Sequence, residues 1–195
     1  MTSLAIMARS RSRDERPKQL RGLTQNILVS ARPGNLQQGF LRFGNIAIHC
    51  ALGQNGIGIL KREGDGKTPL AKMEILFGFY QPGRWPIICR QPWFFPASHT
   101  LGWCDAPPDR NYNRAVALPY AVSHETLARN DGLYDCAFVL NWNMKPRARN
   151  RGSAIFLHIA RQGYQPTEGC IAVSRSDMMR LAGALKPGIV VKTLA

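Results

Sequence analysis

The chain has 195 residues, 45% of them hydrophobic and 9% aromatic, which is enough to build a core and excludes wholesale disorder. That length fits one domain, with or without a tail. The 26 Lys and Arg against 12 Asp and Glu give a formal net charge of +14; this attracts polyanions such as nucleic acid, anionic membranes or carboxylate-bearing cell-wall peptides, and a solvated basic surface satisfies it equally well.

Residues 1 to about 22 read as a basic, flexible tail, in which Arg9, Arg11, Arg13, Arg16, Lys18 and Arg21 face only Asp14 and Glu15. The remaining residues, 23–195, read as one domain. Asn26 to Ser30 predicts a first strand. Phe40 to Leu52, with Ile46, Ile48 and Cys50 alternating, predicts a second strand or hairpin. Gly56 to Leu60 is short and strand-like. Glu74 to Tyr80 predicts a strand with Ile75, Phe77 and Phe79 on one face. The irregular stretch from 81 to 120 carries Trp85, Trp93, Phe94, Phe95, Trp103 and Tyr112, which predicts a packed insertion near the site rather than disorder. Ser123 to Arg129 predicts a short helix. Cys136 to Trp142 and Ser153 to Ile159 predict two more strands. Ser174 and Asp177 predict a helix start, with Met178, Leu181, Ala182 and Leu185 on one face and a stop at Pro187-Gly188. Gly188 to Thr193 predicts the last strand. With 18 Gly and 13 Pro, the turn-rich pattern predicts a mostly β fold with long loops and a few short helices.

Several familiar signals fail on spacing. Gly64-Asp-Gly-Lys-Thr68 lacks the glycine that a Walker A loop needs five residues before Gly66; Lys61 stands there, and a turn between strands is the better reading. Gly53 to Gly58 lacks the dinucleotide-binding order. The five cysteines are odd in number and form no CxxC, so neither a disulfide framework nor a zinc knuckle is supported. His49 and Cys50 are strand neighbours and point to opposite faces, and His99 with Cys104 has no further ligands nearby. No metal or cofactor is expected. Cys50, Cys89 and Cys136 read as small core residues, while Cys104 stays undecided. No RNP or helix-turn-helix signature supports a nucleic-acid partner. No run approaches the roughly 18 apolar residues of a membrane span, and Leu4 to Ala8 before Arg9 is too short, and in the wrong order, for a secretory signal.

One constellation carries chemistry. His158 lies near the end of the Ser153 to Ile159 strand, on the face of Ala154 and Phe156. A loop with Arg161, Gly163, Pro166 and Thr167 leads to Glu168, Gly169 and Cys170. A nucleophilic thiol needs a tight turn, a nearby base and backbone N–H groups facing the oxyanion; Gly169 permits the turn and the loop can fold back on His158. An imidazole neighbour lowers a thiol pKa and supplies thiolate. Spacing alone leaves open a satisfied core histidine beside an inert thiol.

The segment Thr167-Glu-Gly-Cys170, after a strand His, resembles the L,D-transpeptidase family with its YkuD-type catalytic domain. Lys61 to Leu70, Gly102-Trp-Cys-Asp105, Tyr112-Asn113, Tyr134-Asp135 and Asn141 are also similar to a branch of that family, so the likeness spans about residues 24 to 195. The resemblance implies a mostly β, sandwich-like catalytic domain, monomeric and without a cofactor. It implies peptidoglycan stem peptides as donor and acceptor, Cys170 as nucleophile, His158 as base, and the Gly169 and Cys170 N–H groups as oxyanion donors. Thr167, Glu168, Arg161, Tyr112 and Asn141 are the substrate-binding residues it suggests. Water in place of the second amine would give a carboxypeptidase, and a dead site would leave a basic wall-binding module. Two departures stand out. Glu168 replaces the usual His before Gly-Cys, and Ala172 replaces an Arg two residues after the Cys. The second puts donor recognition in doubt, with Arg161, Arg175, Arg114 or Arg147 as substitutes and a donor cut nearer L-Ala as an alternative. Such a substrate implies the periplasm or cell envelope, reached from an upstream start or by another export route.

Overall fold

The computed structural model describes residues 26–86 and 91–194, so the basic segment 1–22 and Cys89 lie outside the described residues. Strands β1 (Ile27–Arg32), β2 (Asn35–Phe43), β3 (Ile46–Ala51), β4 (Ile57–Gly58), β5 (Thr68–Pro69), β6 (Lys72–Tyr80), β7 (Phe94–Pro96), β8 (Leu101–Cys104), β9 (Arg114–Ala117), β10 (His124–Thr126), β11 (Cys136–Leu140), β12 (Phe156–Ile159), β13 (Ile171–Val173) and β14 (Val190–Leu194) follow in order. Among the described residues one α-helix, α1 (Arg175–Ala182), and a 3-10 turn at Gln162–Tyr164 complete the elements. The mostly β expectation holds. Its sandwich-like core takes the form of a ring: the order β11-β12-β13-β3-β2-β1-β14-β6 closes because β6 also pairs with β11, and β7 hangs on β6.

Side chains from every ring strand meet inside, among them Ile27, Leu41, Cys50, Met73, Phe138, Leu157, Ile171 and Val191. The other faces of β2 and β3 meet solvent, as the exposed Arg42 and His49 show. By contrast β11 and β12 are buried on both faces, which is why they read as unbroken apolar runs. A second core lies outside the ring, built from Phe79, Trp103, Leu127, Leu133, Tyr134, Ala137, Val139, Phe156 and Cys170. The small sheet β10-β8-β9 lies beyond it. The aromatic-rich stretch divides between the cores: Trp103 packs in the outer one, Trp85 and Phe94 join the inner one, and Phe95 is exposed.

Three expectations needed correction. Ile75, Phe77 and Phe79 do not share a face: Ile75 joins the inner core, while Phe77 and Phe79 pack on the outer one. The register of β6 against β11 shifts between Val139 and Leu140, so Leu140 opposes Ile75 while Val139 opposes Phe77. The extra residue reverses the alternation, as a bulge does. Ser123 to Arg129 is no helix. His124 to Thr126 pair with β8 as an edge strand, and the apolar anchor Leu127 is buried beneath. A seven-residue segment gains too little from helix nucleation to resist that pairing. Finally α1 starts where predicted, with the Ser174 side chain accepting from the Asp177 N–H, but it ends at Ala182 before Gly183. Leu185 stays on the core through a following turn, where its N–H reaches Leu181 O at 3.2 Å.

Candidate active site

β12 and β13 run parallel with His158 beside Ala172, and the crossover between them ends in Thr167-Glu-Gly-Cys170. Parallel pairing therefore places His158 and Ala172 on the same outer face, on which Cys170, two residues before Ala172, also packs. Gly169 has φ 139°, and a Cβ there would lie 2.7 Å from Lys67 O. Only glycine fits both demands. The partner in that close approach is the Gly64 to Thr68 turn, which is the second wall of the site and not a phosphate loop. Thr68 Oγ1 accepts from Gly53 N–H at 2.9 Å and lies 3.4 Å from Cys170 O, while Thr167 Oγ1 donates to Cys170 O at 2.7 Å.

A cavity of about 260 Å³ opens here, and Cys170, His158, Thr167, Glu168 and Arg161 all line it. The Cys170 thiol donates to Ala154 O at 3.1 Å, and Sγ accepts the Phe156 N–H at 3.3 Å. Burial pushes this thiol up to about 12. His158 Nδ1 lies 2.9 Å from Ile159 O. A carbonyl only accepts, so Nδ1 carries the proton and Nε2 keeps its lone pair. Burial pulls the imidazole down to about 4. Tyr134 packs its ring edge-on against His158, centroids 5.2 Å apart. Thiol and imidazole are both neutral at rest. Of the two expected oxyanion donors, the Gly169 N–H is already donated to Thr167 Oγ1 at 3.1 Å. That leaves the Cys170 N–H.

The structure separates two suggested residues from the cavity wall. Asn141 pins the β6–β11 irregularity: its Oδ1 accepts from Glu74 N–H and its own N–H donates to Glu74 O, both at 2.9 Å. Tyr112 is buried, and its hydroxyl donates to Glu63, which does line the cavity and also accepts from Ser153 Oγ at 2.8 Å. Of the suggested guanidinium substitutes, only Arg161 reaches the cavity. Arg175 binds Asp135 at 2.6 Å and covers Trp85, Arg147 leans on Arg110 O, and Arg114 is exposed on β9. Ala172 is fully buried.

Sequence reasoning missed Lys61 and Arg129. Lys61 is 2% exposed and holds Asp65 Oδ1 at 2.6 Å and Arg62 O at 2.8 Å, with its stem under Gly152 and Gly169. A lysine is buried so fully only when paired. Its place in the failed glycine-loop pattern was the available signal. Arg129 lies over the Tyr134 ring at 5.5 Å and pairs with Glu125 and Asp131, each at 2.6 Å; the mistaken helix hid it. Cavity-lining carboxylates are Glu63, Asp105, Glu125 and Glu168, and cations are Lys61, Arg129 and Arg161. Asp105 Oδ1 is buried without a hydrogen-bond partner. Among the described residues no group of three or more His, Cys, Asp or Glu stands together to hold a metal, and no helix is long and apolar enough to cross a membrane.

Comparison with known proteins agrees with the residue-level resemblance. No curated protein matches the sequence. Seven solved chains match; they include Bdellovibrio bacteriovorus Bd1075, at 16% identity over 88% of this chain and 48% of that one, TM-score 0.43. They also include Mycobacterium tuberculosis L,D-transpeptidase 1, at 11% identity over 88% and 62%, TM-score 0.40. An L,D-transpeptidase from Mycobacterium smegmatis matches at 13% identity over 88% and 59%, TM-score 0.39. The chain thus spans between 48% and 62% of these proteins' own length. The profile of the L,D-transpeptidase catalytic domain, YkuD, matches residues 23–192, nearly the whole chain, and the protein belongs to that family.

Proposed function

We propose that the protein is a cysteine-dependent L,D-transpeptidase that cross-links peptidoglycan stem peptides in the cell envelope, with Cys170 as nucleophile and His158 as base. The observation that carries this reading is one cavity lined by a thiol on a glycine turn and by an imidazole whose free nitrogen is fixed as Nε2. Both groups are neutral at rest, so no thiolate–imidazolium pair waits in the site. As Sγ bonds the donor carbonyl carbon, Nε2 takes the thiol proton. The oxyanion gathers at the Cys170 N–H. Collapse breaks the C–N bond, His158 returns the proton to the leaving amine, and a thioester remains. The acceptor amine then attacks the thioester, loses its proton to His158, and displaces the thiolate, which recovers that proton. Water in place of the amine gives a trimmed peptide.

Donor choice follows from what replaces the missing guanidinium at 172. Arg161 is the exposed cation on the cavity and Arg129 is tied to two carboxylates, so Arg161 is the group left to meet the donor's charge. This supports a donor of non-standard length, cut nearer L-Ala. Purified protein incubated with defined muropeptides should give dimers in mass spectrometry, and fragmentation then assigns the bond. Cys170→Ala should lower the rate by about a thousandfold or more. Trimmed monomers in place of dimers would mark a carboxypeptidase, and full activity of Cys170→Ala would overturn the nucleophile.

A further inference from the structure

The cavity and its rim differ in charge. Inside, four carboxylates face three cations, of which Lys61 and Arg129 are already paired. Beside it, the loop before Gly152 carries Lys145, Arg147, Arg149 and Arg151, and Arg110 approaches from the insertion. None of these five enters an ion pair among the described residues. Arg110, Arg147 and Arg149 surround a hollow of about 150 Å³ together with Tyr112 and Asp109. The one acid there is Asp109, whose Oδ1 accepts from Asn111 N–H at 2.6 Å and Tyr120 OH at 2.8 Å and whose charge is felt by Arg110, so the hollow holds three guanidiniums against one carboxylate.

This loop is held in shape before any ligand arrives. Asn143 Oδ1 accepts from Ala148 N–H at 2.8 Å, and its Nδ2 donates to Ala148 O at 2.8 Å and Gly152 O at 2.9 Å. Trp142 Nε1 donates to Arg151 O at 2.8 Å. Asn113 then joins loop to site: its Nδ2 donates to Trp142 O and Asn143 O at 3.0 Å, and its Oδ1 accepts from the Ala154 N–H at 3.1 Å. Ala154 O is the acceptor of the Cys170 thiol. Tyr112 belongs to both regions, since it lines the hollow and holds Glu63 of the cavity.

We propose that Arg110, Lys145, Arg147, Arg149 and Arg151 form a docking shelf for the free carboxylates of peptidoglycan peptides lying next to the stem in the cavity. The inference rests on the muropeptide reading of the site. Guanidiniums around a hollow suit planar carboxylates, which accept two parallel N–H bonds. A stem whose carbonyl reaches Cys170 would lay its remaining carboxylates towards these cations, which enter no ion pair among the described residues, while the carboxylates inside suit an ammonium group. The shelf offers no stacked aromatic platform of the kind single-stranded nucleic acid uses.

The test uses the full chain and purified sacculi, with binding read by co-sedimentation over a range of NaCl. Arg110→Gln, Arg147→Gln and Arg149→Gln combined should weaken binding about tenfold at low salt and flatten its salt dependence. A control that removes the same charge elsewhere, Arg42→Gln, Lys72→Gln and Lys186→Gln, should change it by about twofold or less. Sacculi with amidated carboxylates should bind the wild type as weakly as native sacculi bind the shelf variant. Alkylation of Cys170 by iodoacetamide should be unchanged in the shelf variant, which establishes an intact site. Equal loss in the control, undiminished binding by the shelf variant, or full binding to amidated sacculi overturns the shelf. So does a shelf variant that loses only duplex DNA or anionic vesicles. If the wild type binds sacculi through these arginines yet neither cross-links nor trims muropeptides, the functional reading falls and the shelf stands.

Discussion

Towards the inside of the ring, β11, β12 and β13 present Phe138, Leu140, Leu157, Ile171 and Val173; towards the outside, Ala137, Val139, Phe156, His158 and Ala172. Both faces are buried, but only the outer one mixes polar chemistry with apolar packing. The inner side is a plain hydrophobic core shared by all ring strands. The outer side is sealed by aromatic rings, with Phe156 edge-on to Phe79, Trp103 and Tyr134. That sealing has an electrostatic consequence. It is burial that drives the thiol up and the imidazole down, so it keeps both neutral. The same three strands therefore supply rigidity on one face and a low-dielectric site on the other, residue by alternate residue.

The comparison is tested most strongly by truncating one ring on each face. Phe138→Ala and Phe156→Ala should each cost about 3–5 kcal/mol in urea unfolding, since both side chains are fully packed. Their effects on the thiol should differ. The Phe156 N–H is donated to Cys170 Sγ, and its ring closes the cover above the site. Phe156→Ala should change the rate and pH dependence of Cys170 alkylation, while folded Phe138→Ala should leave both unchanged. Equal changes in the two variants would show that the faces are not separable.

A smaller effect comes from protons. His158 titrates near 6.5 once unfolded but resists protonation to about 4 in the native state. Between those values the unfolded chain binds more protons, so stability is present above 6.5 and is lost as pH falls towards 4, by about 3 kcal/mol. His158→Gln should remove that part of the acid loss, as read by thermal unfolding at a series of pH values. The acid limb of kcat/KM should fall well below the 6.5 of an ordinary histidine. On the alkaline side the order reverses. Cys50 and Cys170 are raised from 9.0 to about 12, so their contribution is present below 9 and is lost as pH rises through 12.

How much of this was legible beforehand depended on whether a feature is local. Cys170, His158 and the Ser174 helix start were readable because a glycine turn, a strand and a cap each declare themselves within a few residues. The face of Ile75 was not, because the bulge that reverses it arises from pairing with a strand some 65 positions later, Ile75 against Leu140. Lys61 and Arg129 escaped although their acids lie within four residues; it is packing against distant residues, such as Gly152 and Gly169 around the Lys61 stem, that brings them to the cavity. Asn141 and Tyr112 carried the resemblance yet serve the scaffold near the site, one at the bulge and one behind Glu63.

The smallest effect sharpens the comparison because it should be confined to one face. The α1 residues Met178, Leu181 and Ala182 belong to the inner core, and the helix starts on the Ser174 hydroxyl, which accepts from Asp177 N–H at 3.1 Å. Removing a cap of this kind costs about 1 kcal/mol. Ser174→Ala should therefore lower the unfolding midpoint modestly while Cys170 alkylation and its pH profile stay at the wild-type level. The route by which this could fail is specific. The next residue, Arg175, binds Asp135 at 2.6 Å, and Asp135 stands beside Cys136 at the start of β11, whose outer residues underlie the site. A changed alkylation profile in Ser174→Ala would mean that helix strain travels through that ion pair to the outer face, and that the two faces share one mechanical unit.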